Sequence, residues 1–347
     1  MKIDNYKIDS QSPVFIIAEL SANHNGSLEN ALKSVHAAKE AGADAIKLQT
    51  YTADTITLDV KSEIFKINHG TAWDGQYLYD LYLQAYTPWE WHKTIFDEAN
   101  KIGLTCFSSP FDLTAITLLE ELNTPIYKIA SFEITDIALI KACAKTGKPI
   151  IISTGIATLE DIILAIETCK NVGNENITLL ACTSEYPAPP ENANLRMVAD
   201  LAQRFNVKAG LSDHTLGHLA PVIAVSLGAK VIEKHFILDK RLGGPDSHFS
   251  LDTNEFKAMV DAIRQTEKML GTANYDLTDK KKNSRKFARS LFVSADVKEN
   301  DILNAFNIRS VRPNNGLHPK FYAEVLGKSF KVDCVKGTPL SFDIIKF

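Results

Sequence analysis

The chain has 347 residues, which suits a barrel-sized core with a modest second domain rather than one small core. Its 45% hydrophobic and 23% charged residues are those of an ordinary globular protein, and a net charge of -4 lacks the basic excess of nucleic-acid binders. No apolar run approaches a bilayer span, and Met1-Lys2-Ile3-Asp4-Asn5-Tyr6 lacks the basic start and apolar core of a signal peptide, so no membrane partner and a cytoplasmic location are expected.

From residue 14 to about residue 270, short apolar runs alternate with longer amphipathic stretches. The runs are 14–18, 45–48, 105–107, 126–129, 150–153, 178–181, 208–211 and 231–236. Each is almost continuously apolar, as a parallel strand covered on both faces should be. Between them, 28–41, 88–101, 158–171 and 254–270 read as helices, and Gly42, Gly103, Gly147, Gly173 and Gly228 each follow a helix-like run as a C′ residue would. Eight such units predict an α/β fold, a closed (β/α)8 TIM barrel over 1–272. An open doubly wound sheet is the rival, but no G-x-G-x-x-G follows the first run. Residues 54–86 break the rhythm with a long aromatic loop (Trp73, Tyr77, Tyr79, Tyr82, Tyr86), to be read either as functional or as a surface excursion with its own apolar cluster.

Residues 273–287 are charge-dense (Lys280-Lys281-Lys282, Arg285-Lys286) and read as a linker. Residues 288–347 hold short strand-like pieces at 290–293, 308–311 and 329–332, a domain too small to stand strongly on its own core. Cys106, Cys143, Cys169, Cys182 and Cys334 form no C-x-x-C pair, and their odd number in apolar segments argues for reduced, mostly buried thiols.

Active sites of (β/α)8 barrels lie at the C-terminal ends of the strands. His214 and His235 close the seventh and eighth runs, where two imidazoles can hold a divalent metal with other positions open. His218 makes an H-x3-H spacing with His214 but falls in the following helix; His24 and His248 lie in loops, where a lone histidine is more often a surface group. Lys47 and Lys128 sit inside apolar runs, where they would be costly against hydrocarbon but make sense pointing at an anion in the mouth. With Ser109, Ser131, Ser153 and Ser212 as hydroxyl donors, the set suits a small phosphorylated carboxylate, although serines there also cap helices. A Schiff-base lysine is the alternative.

These residues resemble the sialic acid synthase family. The resemblance runs through Ile17-Ala18-Glu19, Asn23-His24-Asn25-Gly26, Lys47-Leu48-Gln49-Thr50, Tyr127-Lys128-Ile129-Ala130-Ser131, Ser153-Thr154-Gly155, Ser212-Asp213-His214-Thr215 and Glu233-Lys234-His235-Phe236. It continues into Arg289-Ser290-Leu291-Phe292 and Ser310-Val311-Arg312-Pro313, which look like that family's antifreeze-protein-like (SAF) domain. Cys182-Thr183-Ser184-Glu185-Tyr186-Pro187 points to the branch with a 6-deoxy, diacetamido acceptor, since N-acetylneuraminate synthases usually carry Asn where Ser184 stands.

The resemblance implies a transferase that condenses phosphoenolpyruvate with 2,4-diacetamido-2,4,6-trideoxy-L-altrose; the alternative is an N-acetylneuraminate or legionaminic acid synthase. It implies phosphoenolpyruvate held by Lys47, Ser109, Lys128, Ser131, Ser153 and Ser212, with Glu19 and Glu233 as catalytic carboxylates. Asn23, Gln49, Ser184, Tyr186, Asp246 and Arg312 fall on the sugar side. His214 and His235 would bind Mn2+, with Co2+ or Mg2+ as alternatives, and Arg312 would enter a partner's barrel in a domain-swapped homodimer. The loop of Arg312 departs from the family, which often has glycine after Pro313. A class II aldolase, a 3-deoxy-heptulosonate-type synthase and a non-catalytic binding protein are the rival readings.

Overall fold

The computed structural model describes all residues except Met1, Asp4, Asn5, Ser10, His69 and Ala72, and only the backbone of Lys2. Eight parallel strands close into a barrel: β1 (Phe15–Glu19), β2 (Ala45–Thr50), β3 (Thr105–Pro110), β4 (Tyr127–Ile129), β5 (Ile150–Ser153), β6 (Ile177–Cys182), β7 (Lys208–Asp213) and β8 (Val231–His235). They pair in chain order, and β8 returns to β1 with His235 opposite Glu19. The helices begin and end close to the expected positions. Leu28–Glu40 is capped by the Ser27 hydroxyl, and Thr253–Leu270 by a capping box between Asp252 and Glu255.

Side chains alternate between the two faces of a strand, and this sorts every barrel strand into two rows. Ile16, Ala18, Ile46, Leu48, Ile150 and Ile152 belong to the buried layer shared with the helices. Phe15, Ile17, Ala45, Phe107, Ile126, Ile151, Leu180 and Val231 form a separate cluster in the barrel lumen, joined by Ile3 and Ile8 of the N-terminal segment. Two residues further along the lumen rows stand Glu19, Lys47, Ser109, Lys128, Ser153, Cys182, Ser212 and Glu233. A hydrocarbon floor thus carries a polar layer on top, one side chain from each strand.

Met1–Gly271 and Thr272–Phe347 are two compact units. Within the second, helix Asp279–Arg285 occupies much of the stretch read as linker. Strands β9 (Ser290–Val293) and β10 (Ile308–Val311) pair antiparallel, and Leu291, Val293, Leu303, Ile308, Phe330 and Leu340 lie in a contiguous core. That core exceeds what the short apolar runs suggest, because isolated residues such as Leu303 and Leu340 contribute from outside the strands. All five cysteines are free, four of them buried. No helix among the described residues is long and apolar enough to cross a membrane.

Candidate active site

Four of the polar-layer residues form one ionic array. Lys47 Nζ stands 2.6 Å from Glu19 Oε2 and 3.2 Å from Glu233 Oε2, while Lys128 Nζ is 3.3 Å from Glu233 Oε1. Ser212 Oγ donates to Glu233 Oε1 at 2.8 Å, and Lys47 Nζ donates to Ser109 Oγ at 3.3 Å. All six are buried, so these charges act on one another with little screening.

The two carboxyls respond in opposite directions. Burial pushes Glu19 up to about 7, with Lys47 opposing the rise and Glu233 adding to it. Burial acts the same way on Glu233, but Lys128 and Lys47 together outweigh it and hold that carboxyl well below its usual range. Two carboxyls driven apart by their surroundings are the usual signature of divided acid–base roles.

Next to this array lies a cluster of hydroxyls. Ser184 Oγ donates to Ser131 Oγ at 2.8 Å, and Ser131 Oγ accepts from Ile156 N at 3.0 Å. Ser153 Oγ is buried with no hydrogen-bond partner, an arrangement that a ligand acceptor would complete.

The two histidines sit at the same end of the barrel, with ring centroids 5.3 Å apart. His214 Nδ1–H donates to the Thr183 carbonyl at 2.9 Å, which leaves Nε2 with its lone pair. His235 Nδ1 is buried without a partner, 3.9 Å from Asp246 Oδ2. Burial lowers His214 to about 4 and drives His235 well below its ordinary value, so both rings are neutral and able to ligate near neutral pH. Among the described residues no group of three or more His, Cys, Asp or Glu side chains is placed to hold a metal ion. The donors present that fit a divalent ion are the two neutral imidazoles, which would leave its other positions to water and substrate.

The sugar-side candidates divide by location. Gln49 is half-buried opposite Ser109 in the β2–β3 register. Tyr186 packs on His214 at 4.3 Å and on Phe249 at 5.2 Å between ring centroids. Asp246 is buried and accepts from Ser21 Oγ and from Ala22 N. Asn23 is also buried; its amide nitrogen donates to Phe236 O and Ser250 Oγ, both at 2.9 Å, leaving Oδ1 as its unpartnered atom. Arg312 is exposed in the second unit, directly after β10. Of the other histidines, His24 is buried against Trp91 rather than on the surface, whereas His218 and His248 are exposed.

Two residues at this end of the barrel have no role assigned from the sequence. Glu133, in the single turn after β4, has a buried Oε2 without a partner, and burial pushes its carboxyl up to about 7. Its signal was present as a carboxylate two residues after Ser131. Trp73 comes from the long loop after β2: its indole N–H donates to Pro245 O at 3.1 Å, and its ring lies 5.7 Å from Tyr186 and 6.4 Å from Phe249. In the same loop Tyr82 meets Tyr51, just after β2, and Tyr51 in turn meets Phe111, so its aromatics pack onto neighbouring segments.

Residues 34–275 match the NeuB family, and residues 288–346 match the SAF domain. The chain is 53% identical over 340 residues to pseudaminic acid synthase of Campylobacter jejuni subsp. jejuni serotype O:23/36 (strain 81-176), covering 98% of each chain. It is 52% identical to pseudaminic acid synthase of Helicobacter pylori (strain ATCC 700392 / 26695), covering 96% of this chain and 98% of that one. Among solved structures it is similar to N-acetylneuraminic acid synthetase from Leptospira borgpetersenii serovar Hardjo-bovis in complex with citrate. There the TM-score is 0.72 at 31% identity, over 82% of this chain and 94% of that one.

Proposed function

We propose that this chain, which belongs to the NeuB family, makes pseudaminic acid by condensing phosphoenolpyruvate with 2,4-diacetamido-2,4,6-trideoxy-L-altrose. The observation that carries the reading is the polar layer itself, with two buried lysines and a group of serine hydroxyls beside two neutral histidines. A carboxylate and a phosphate on one small substrate require such a set of donors.

In this reading Lys47 and Lys128 bind the anionic groups of phosphoenolpyruvate, and Ser109, Ser131, Ser153 and Ser212 donate to its oxygens. Glu233 keeps both lysines charged and aimed before the substrate arrives. C3 of phosphoenolpyruvate forms a bond to the aldehyde carbon of the open-chain sugar, water adds at C2, and the C2–O bond breaks to release phosphate. A divalent ion held by His214 and His235, with Mn2+ preferred over Co2+ or Mg2+, would polarise that aldehyde as a Lewis acid. Glu19 and Glu133, with carboxyls near neutrality, are suited to carry protons to and from the reacting oxygens. Gln49, Ser184, Tyr186 and Asp246 face the sugar, and Asn23 holds the chain leaving β8 beside it.

As the family resemblance implies, the assembly is a domain-swapped homodimer in which Arg312 of one copy serves the other. The reaction belongs in the cytoplasm, where phosphoenolpyruvate is made, and its product is destined for surface glycans such as those of flagellin.

The test is phosphate release by Mn2+-loaded protein with phosphoenolpyruvate, comparing the diacetamido-altrose with N-acetylmannosamine. Turnover with the former alone supports the reading. Preference for N-acetylmannosamine would reassign the acceptor, and no turnover with either would overturn the synthase reading.

A further inference from the structure

Asp213 and Lys234 form an ion pair for which the reaction has no use. They lie on the helix-facing rows of β7 and β8, each one residue before a histidine of the candidate metal pair, and they are partners in the β7–β8 register. Lys234 is 0% exposed and Asp213 3% exposed. Lys234 Nζ donates to Asp213 Oδ2 at 2.5 Å and also to the Thr215 carbonyl. Asp213 in turn accepts from Thr215 N at 3.0 Å and from Thr215 Oγ1 at 3.2 Å. The residues on both sides of His214 are therefore pinned to each other and to the residue that precedes His235.

Two charges in this position need a reason. The helix-facing rows around them are filled by Leu211, Ile232 and their neighbours, and a well-packed apolar pair in place of a buried ion pair is often as stable or more so. What an apolar pair lacks is direction, since hydrocarbon tolerates a small slide of one strand along the other. In a strand, a slip of one residue exchanges the two faces, and here it would put Lys234 where His235 belongs.

We propose that Asp213 and Lys234 are positioning residues that fix the separation and facing of His214 and His235. The proposal rests on the reading of those histidines as a divalent-metal pair. Groups bonded directly to metal ligands govern metal affinity by about 10- to 100-fold, and a pair acting through the strands is expected at the lower end of that range.

The experiment uses full-length protein and Mn2+ itself, counting free Mn2+ by electron paramagnetic resonance. The main variant is Asp213→Asn/Lys234→Met, which removes both charges and leaves no lone buried ion. Folding is followed by thermal unfolding in EDTA, and phosphoenolpyruvate binding by calorimetry. The expected result is a folded double variant that binds phosphoenolpyruvate like the wild type but Mn2+ roughly 10-fold more weakly. Asp213→Glu keeps the charge but shifts it by one methylene; it should lose Mn2+ affinity in the same direction, and it serves if the double variant does not fold. Wild-type Mn2+ affinity in a folded variant overturns the inference alone. Failure of the wild type to bind Mn2+, while His214→Ala behaves identically, overturns the metal reading and the inference with it.

Discussion

A Cβ added to Gly155 would stand 2.3 Å from the Ser184 hydroxyl, so the chain leaving β5 meets the chain leaving β6 through a residue with no side chain. The same Cβ would lie 2.8 Å from Ser131 Oγ and 3.0 Å from Cys182 Sγ. Three neighbours cannot all yield without breaking the Ser184–Ser131 hydrogen bond. Gly155→Ala is expected to cost about 1–3 kcal/mol by overpacking and to raise the KM for phosphoenolpyruvate, through Ser131, as well as that for the sugar, through Ser184. Urea unfolding and steady-state kinetics check both halves; an unchanged KM for phosphoenolpyruvate would show that the hydroxyl cluster is not part of the anion site.

Ser184 also bears on the choice of sugar. Its hydroxyl is already committed to Ser131 and lies against Gly155, so an asparagine in its place removes that bond and brings a bulkier amide into the same corner. Ser184→Asn should lower kcat/KM for the diacetamido-altrose by roughly 10-fold or more, the scale of one misplaced polar contact. Competition between the two sugars, followed by product analysis, reads this directly, and an unaltered ratio would remove Ser184 from the specificity set.

The raised carboxyls make a prediction about pH. Glu19 and Glu133 are both pushed up to about 7 in the fold, chiefly by burial, from an ordinary 4.5. The folded protein therefore keeps protons that the unfolded chain has already released, and the stability linked to these groups falls as pH rises from about 4.5 through about 7. Glu233, shifted downward, exerts its effect below that window. Buried histidines such as His24 and His92, lowered to about 4, act in the opposite sense below 6.5, so the variant must be compared with the wild type at each pH. Metal-free Glu19→Gln/Glu133→Gln should gain stability relative to wild type between about pH 5 and about pH 8. Parallel curves in urea would mean that neither carboxyl titrates there.

Trp73 packs against Tyr186 and Phe249, at the end of the site proposed for the acceptor. Trp73→Ala should raise the acceptor KM about 10-fold, as loss of one apolar wall does, with kcat and the phosphoenolpyruvate KM little changed. Equal losses for both substrates would assign the tryptophan to loop folding instead.

Much of this was legible in the sequence because parallel strands covered on both faces are written as apolar runs, and a charge inside such a run is conspicuous. Lys47, Lys128 and the strand-end histidines stood out for that reason. Lys234 did not, because it sits between Glu233 and His235 in a segment already read as catalytic, and only the register with Asp213 shows that it turns the other way. Glu133 and Trp73 lie beyond the strands, where no period of two says which side chain turns inward. The C-terminal core was underestimated because its members are scattered among turns rather than gathered in runs.

The interleaving of the two rows also bears on how such a sequence can change over generations. In β8, Glu233 and His235 stand on the row of the proposed site while Ile232 and Lys234 stand on the row facing the helices. Gain or loss of one codon there would exchange the two roles at every position downstream in the strand. The loops after the strands carry no such parity, and residues 54–86 are long without disturbing the pairing of β2 with β3. Substrate preference can therefore drift by insertion and deletion in the loops, while the strands can change only by substitution.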